Sequence, residues 1–170
     1  MIIFYLIFSF TVAQRLAELY IANRNEQWMR ARGGIEIGND HYKWFVFLHI
    51  LFFVFLISEV NFLYMESIVV FNIYFFIVFL IAQIGRVWCI ISLGKFWNTK
   101  IIILPKVILI KKGPYKYVKH PNYIIVLIEL LSIPSMFGAY KTAILFSVLH
   151  LILLSVRIPL EDRALGRRIQ

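Results

Sequence analysis

Apolar residues in this chain fall into long blocks separated by shorter polar stretches, and each block reads as a helix set in lipid. A helix rising about 1.5 Å per residue needs roughly 20 residues to cross hydrocarbon. The first block runs from about Ile2 to Ile21, and Gln14, Arg15 and Glu18 put a polar stripe at helical spacing on its second half. That half is expected to face protein or the interface. A polar loop over Ala22 to Lys43 follows, holding Gly33, Gly34 and Gly38, and a second span covers roughly Trp44 to Tyr64. A third runs from Ile68 to about Leu93, with Gly94 as its stop. Lys95 to Pro121 is the longest polar stretch. Its two apolar runs, Ile101 to Leu104 and Val107 to Ile110, are too brief to span, and they are expected to dip into the interface or line a pocket. A short fourth span is predicted over Asn122 to Met136, with Pro134 ending or kinking it, and a fifth over Tyr140 to Val156. Only Phe137, Gly138 and Ala139 separate these two, so they must form an antiparallel hairpin.

A β-barrel would alternate apolar and polar positions, and runs such as Phe71 to Ile84 do not. The fold class is therefore all-α integral membrane, about five transmembrane helices in a single domain over residues 1–170. Within it, residues 1–67 form the N-terminal helices and loop, and 68–170 the core.

Composition strengthens this picture. With 61% hydrophobic and 16% charged residues and a mean hydropathy of +0.80, the chain lies outside the soluble range. A net charge of +9 raises the question of nucleic acid, but the basic residues flank apolar segments and no soluble domain carries a groove reader. Membrane topology accounts for them instead. The first loop holds Arg24, Arg30, Arg32 and Lys43; the third holds Lys95, Lys100, Lys106, Lys111, Lys112, Lys116 and Lys119; the tail holds Arg157, Arg163, Arg167 and Arg168. These 15 of the 18 basic residues mark three segments as cytoplasmic, which requires an external N-terminus. Met1 to Val12 has no basic flank of the kind a cleaved leader carries, so the first span reads as a retained anchor. Cys89 is the sole cysteine, so no intrachain disulfide can form, and it is expected to be a small buried residue.

Two clusters could carry chemistry. Gly113, Pro114, Tyr115, Lys119, His120, Pro121 and Tyr123 precede the fourth span, and Arg157, Glu161 and Asp162 follow the fifth. The hairpin starts and ends on one side, so both clusters meet at one mouth. They offer an imidazole, aromatic rings, an arginine able to grip an anionic oxygen, and a carboxylate able to accept from an ammonium or hydroxyl. A charged cofactor would suit that set. The bland alternative is a turn, an interfacial cap and basic anchors. Arg15 and Glu18, three apart, read equally as a buried structural pair; Arg86 reads as a functional intramembrane arginine or one that snorkels; Glu129 has no obvious partner and is expected to be protonated.

The run Lys112-Gly-Pro-Tyr-Lys-Tyr-Val-Lys-His-Pro-Asn-Tyr123, followed after a hairpin by Arg157-Ile-Pro-Leu-Glu161-Asp162, resembles the core of the isoprenylcysteine carboxyl methyltransferase family. Leu93-Gly-Lys-Phe-Trp97 matches as well, so the resemblance covers about Arg86 to the C-terminus. It implies a methyltransferase-like core over 68–170 and an S-adenosylmethionine cofactor held without a Rossmann domain. Tyr115, His120, Pro121, Asn122 and Tyr123 would line the cofactor, and Glu161 would bind it from the tail. Val107, Ile108, Leu109 and Ile110 occupy the stretch whose backbone contributes to the cofactor pocket. Arg157 would face the acceptor. Lys119 stands in place of the common arginine, Asp162 in place of a second glutamate, and Val107 where some members have histidine.

The first half resembles a narrower bacterial branch, through Gln14-Arg-Leu-x-Glu18, Arg24-Asn-Glu26 and His41-Tyr-Lys-Trp44. Members of that branch are associated with O-methylation of alkylpyrones, so the resemblance implies a lipophilic acceptor arriving from the membrane lipid. Two rivals stay open on the residues alone: a sterol-reductase-like oxidoreductase using NADPH, and a noncatalytic membrane scaffold.

Overall fold

The structure, a computed structural model, describes residues 1–105, 107 and 110–166, the side chain of Asp40 excepted. Five helices carry the fold: α1 (Ile2–Arg30), α2 (Asn39–Met65), α3 (Ile73–Leu93), α4 (Pro121–Ser135) and α5 (Tyr140–Gly166). Four are long and apolar enough to cross a membrane, and α4 is a shorter apolar helix. Beside them stand two short strands, β1 (Ile35–Ile37) and β2 (Ile101–Ile103), and single 3₁₀ turns over Gly94–Phe96 and Gly113–Lys116.

Helix α4 lies between α3 and α5, and α2 packs on the far side of α5. The buried stripes of these helices, including Leu56, Val60, Leu130, Ile133 and Phe146, join Phe4 of α1 in one core. Lipid tails are as apolar as leucine, so this packing is held by van der Waals fit rather than by exclusion of water. The edge-on rings of Phe4 and Phe137 (5.1 Å) and of Phe52 and Phe146 (5.6 Å) supply such fit. The outward faces, Ile77, Ile81 and Ile84 among them, stay exposed as a lipid-facing surface.

Polar contacts pin the two ends of the bundle. At one end the Tyr5 hydroxyl donates to Asn61 (3.0 Å), and the Asn72 amide donates to the Met136 carbonyl (2.8 Å). There too, Glu59 accepts from the Thr142 amide at 2.8 Å, placing a carboxylate on the positive end of α5. At the other end Asn25 donates to the Trp97 carbonyl (2.7 Å) and Asn98 to the Ala22 carbonyl (3.1 Å). β1 and β2 pair antiparallel there, Glu36 opposite Ile102. The first loop, the long third loop and the end of α5 therefore share one end of the molecule, as the charge pattern requires.

Several boundaries differ from those the sequence predicts. α1 continues to Arg30, because residues 22–30 contain no helix breaker, Arg30 pairs with Glu26 one turn back (2.8 Å), and Met29 is buried. α3 starts at Ile73 rather than Ile68, where the Asn72 side chain accepts from the Tyr74 amide. α5 runs through Pro159 to Gly166, so the expected tail is helix as far as Gly166, and the rest of it lies outside the described residues. Ile101 to Ile103, too brief to span as expected, form the buried strand β2, and of the two alternatives expected for them Ile101 and Ile102 line a pocket.

Candidate active site

The elements at the basic end enclose a cavity of about 800 Å³. Its mouth is organised by one hydroxyl. Tyr123, on the first turn of α4, accepts from Arg157 Nε (2.7 Å) and donates to Glu161 (2.5 Å). Because α5 stays helical past Pro159, Arg157 and Glu161 lie one turn apart on one face and reach the same partner. Arg157 is fixed further by donating through Nη2 to the Thr99 carbonyl (2.6 Å) and by lying over the Phe45 ring (5.0 Å). The His120 ring stacks on Tyr123 at 5.5 Å and meets Asp162 at 3.1 Å through Nε2.

The loop in front of α4 is shaped by Gly113. Its φ of +55° favours glycine, and a Cβ there would fall 2.0 Å from Ser92 Oγ. This close approach lays the following turn against α3, where Tyr115 packs beside Cys89 and Ile125. Burial pushes the Tyr115 phenol well above its ordinary range, so it stays a neutral hydroxyl. Cys89 is fully buried, as expected.

Of the residues singled out from sequence, Val107, Ile110, Tyr115, His120, Asn122, Tyr123, Arg157 and Glu161 all border this cavity. Pro121 does not. It is buried as the first residue of α4, where a missing amide hydrogen costs nothing. Ile108 and Leu109 lie outside the described residues. Sequence reasoning missed Phe45 and Thr99, which hold Arg157, and the two histidines His49 and His150. Only His150 carried a signal, seven residues before Arg157 on the same helical face.

The floor is ionic. Arg15 pairs with Glu18 (2.7 Å) and with Glu129, while Arg86 binds Glu129 through Nε (2.8 Å) and reaches Glu18 (3.2 Å). Gln83 and Gln14 complete the carboxylates' hydrogen bonds at 2.8 and 3.0 Å. The expectation of a partnerless, protonated Glu129 is thus overturned: it sits between two guanidinium groups, with opposite charges balanced. The Arg15–Glu18 pair is present as expected, and Arg86 is buried in the bundle rather than snorkelling.

The mouth carries groups of both signs, with Arg157, Lys111 and Lys119 beside its carboxylates, and suits a ligand that itself bears both charges. Glu161 and Asp162 supply carboxylates, Asn122 Oδ1 is buried without a hydrogen-bond partner, and aromatic faces stand beside them. Among the described residues, no cluster of His, Cys, Asp and Glu is placed to hold a metal. On the flank, Leu16 and Leu19 of α1 and Val46 and Ile50 of α2 line the cavity, and all four are exposed. This flank lies between the β1 connection and the Tyr5–Asn61 and Phe8–Phe53 contacts.

Residues 74–167 match the sequence profile of the Isoprenylcysteine carboxyl methyltransferase (ICMT) family. The chain is 46% identical over 162 residues to the uncharacterized protein YpbQ of Bacillus subtilis (strain 168), covering 95% of this chain and 96% of that one. It is 30% identical over 165 residues to an uncharacterized protein of Haemophilus influenzae, covering 94% and 92%. No solved structure matches it.

Proposed function

Because the chain belongs to the isoprenylcysteine carboxyl methyltransferase family, and is thereby a membrane methyltransferase, we propose that it methylates an oxygen of a lipophilic acceptor using S-adenosylmethionine. The acceptor oxygen is a carboxylate or an enol, and an alkylpyrone is the favoured candidate. When bound, the cofactor supplies a methyl group activated on a sulfonium. The observation that carries this reading is the hydrogen-bonded chain from Arg157 through Tyr123 to Glu161 at the cavity mouth.

The residues present would divide the work. Glu161, with His120 and Asn122, would hold the polar parts of the cofactor, and the Tyr115 ring would cover its cationic centre. Arg157 has Nε and Nη2 committed, so Nη1 is left to draw an anionic acceptor oxygen into line. An enolate or carboxylate is already charged near neutral pH, which removes the need for a strong base. The balanced floor would close the cavity to water without adding net charge. The mouth would open to the cytosol, and the acceptor would enter from the bilayer through the window between α1 and α2.

Calorimetric titration of the detergent-purified chain tests the reading. S-adenosylhomocysteine should bind saturably and NADPH should not. Binding of NADPH alone would transfer the site to the reductase reading.

A further inference from the structure

His150 is a buried titratable side chain on the cavity wall whose two ring nitrogens are both left without a partner. It is 1% exposed, and neither ring nitrogen has a hydrogen-bond partner. The Tyr123 carbonyl approaches the ring but does not meet it in ordinary hydrogen-bonding geometry, and it could satisfy only one nitrogen in any case. A buried polar group left unmade costs stability, so a ligand atom is the natural partner. The ring is held edge-on to Phe45 at 6.0 Å, which fixes its orientation.

Two neighbours define what it can take. Arg157 is seven residues on, on the same face of α5, and helical side chains lean toward the N-terminus, so its guanidinium reaches back toward His150. Also on the lining, His49 Nδ1 lies 2.7 Å from the Phe45 carbonyl and must carry the proton there, leaving Nε2 as an acceptor. At the floor, Arg15 and Arg86 are matched by Glu18 and Glu129, so no spare cation awaits an anion at this depth. Two imidazoles and a balanced floor favour a neutral hydroxyl.

We propose that His150 is a specificity-determining residue that hydrogen-bonds a second, neutral oxygen of the acceptor, inward of the oxygen presented to Arg157. The ring head already proposed for the acceptor would then be held at two oxygens, one by Arg157 and one by His150. This rests on the proposed function for the direction in which the acceptor enters, but its test uses no cofactor.

Purified full-length chain is titrated with 5-pentadecylresorcinol and with 3-pentadecylphenol, which lacks the second hydroxyl, and binding is followed by thermal stabilisation at equal mole fraction in detergent. The wild type should bind the resorcinol about tenfold more tightly, the worth of one buried hydrogen bond. His150→Phe should lose that preference while binding the monophenol as before, and His150→Gln should keep most of it. An equal affinity of the wild type for the two compounds overturns the assignment, as does an undiminished preference in His150→Phe. The wild-type comparison decides even where a variant does not fold. Absence of S-adenosylhomocysteine binding would strike the proposed function instead, and leaves this measurement intact.

Discussion

Tyr123 has a single hydroxyl and uses both of its capacities, accepting from a guanidinium and donating to a carboxylate. Tyr123→Phe should therefore disturb both partners at once and lower S-adenosylhomocysteine affinity about tenfold, as expected for one hydrogen bond to a charged group. Calorimetry on the folded variant checks this, and unchanged affinity would mean that Glu161 is held independently of the phenol. Arg157→Lys makes the complementary case. Lysine keeps the charge but cannot span Tyr123, the Thr99 carbonyl and an acceptor at once, so turnover should fall by roughly ten- to a hundredfold while cofactor affinity changes little. Full turnover in that variant would reduce Arg157 to a basic anchor. The types and spacing of Arg157 and Glu161 were legible in the sequence, but the hydroxyl joining them was not. It lies 34 residues from one and 38 from the other, and depends on α5 staying helical beyond Pro159.

At the scale of elements, hydrophobic blocks locate the spans because burial in lipid is a property of every residue in them. Their ends are set by individual hydrogen bonds. The Asn72 cap and the Glu26–Arg30 pair moved two boundaries by several residues. β2 escaped notice because three apolar residues are too few for a period, and their partner strand is 66 residues away in sequence. Gly113 shows how closely a loop can be bound to a helix. Gly113→Ala must place a methyl against Ser92 and hold alanine at positive φ, the latter alone costing about 1–2 kcal/mol. The thermal midpoint should drop, and S-adenosylhomocysteine binding should weaken with it as Tyr115 is displaced. A variant as stable as the wild type would show that the loop can move away from α3.

Seen whole, the molecule uses a buried intramembrane carboxylate–arginine cluster to join α1, α3 and α4. Removing one partner leaves an uncompensated charge, so Glu129→Leu should destabilise by about 3–5 kcal/mol and cut the amount of protein recovered from membranes. Normal recovery and thermal stability would make the cluster dispensable. The sequence could not reveal these pairs, since Glu129 lies 114 residues from Arg15 and 43 from Arg86. It did reveal, through the placement of lysine and arginine, which segments share an end. Single cysteines placed near Lys116 should resist impermeant thiol reagents in intact cells and react in inverted vesicles. External labelling there would reverse the proposed orientation of the mouth.

The proposed window between α1 and α2 would have a consequence for how the rate must be measured. A reactant that arrives through Leu16, Leu19, Val46 and Ile50 never crosses bulk water, so its effective concentration is its mole fraction in the surrounding film. Enlarging the film with inert detergent, at fixed total protein and reactant, should slow the reaction in proportion. Changing the aqueous volume around the same micelles should leave it untouched. The protein would obey the kinetics of a two-dimensional solution, with surface dilution in place of molarity.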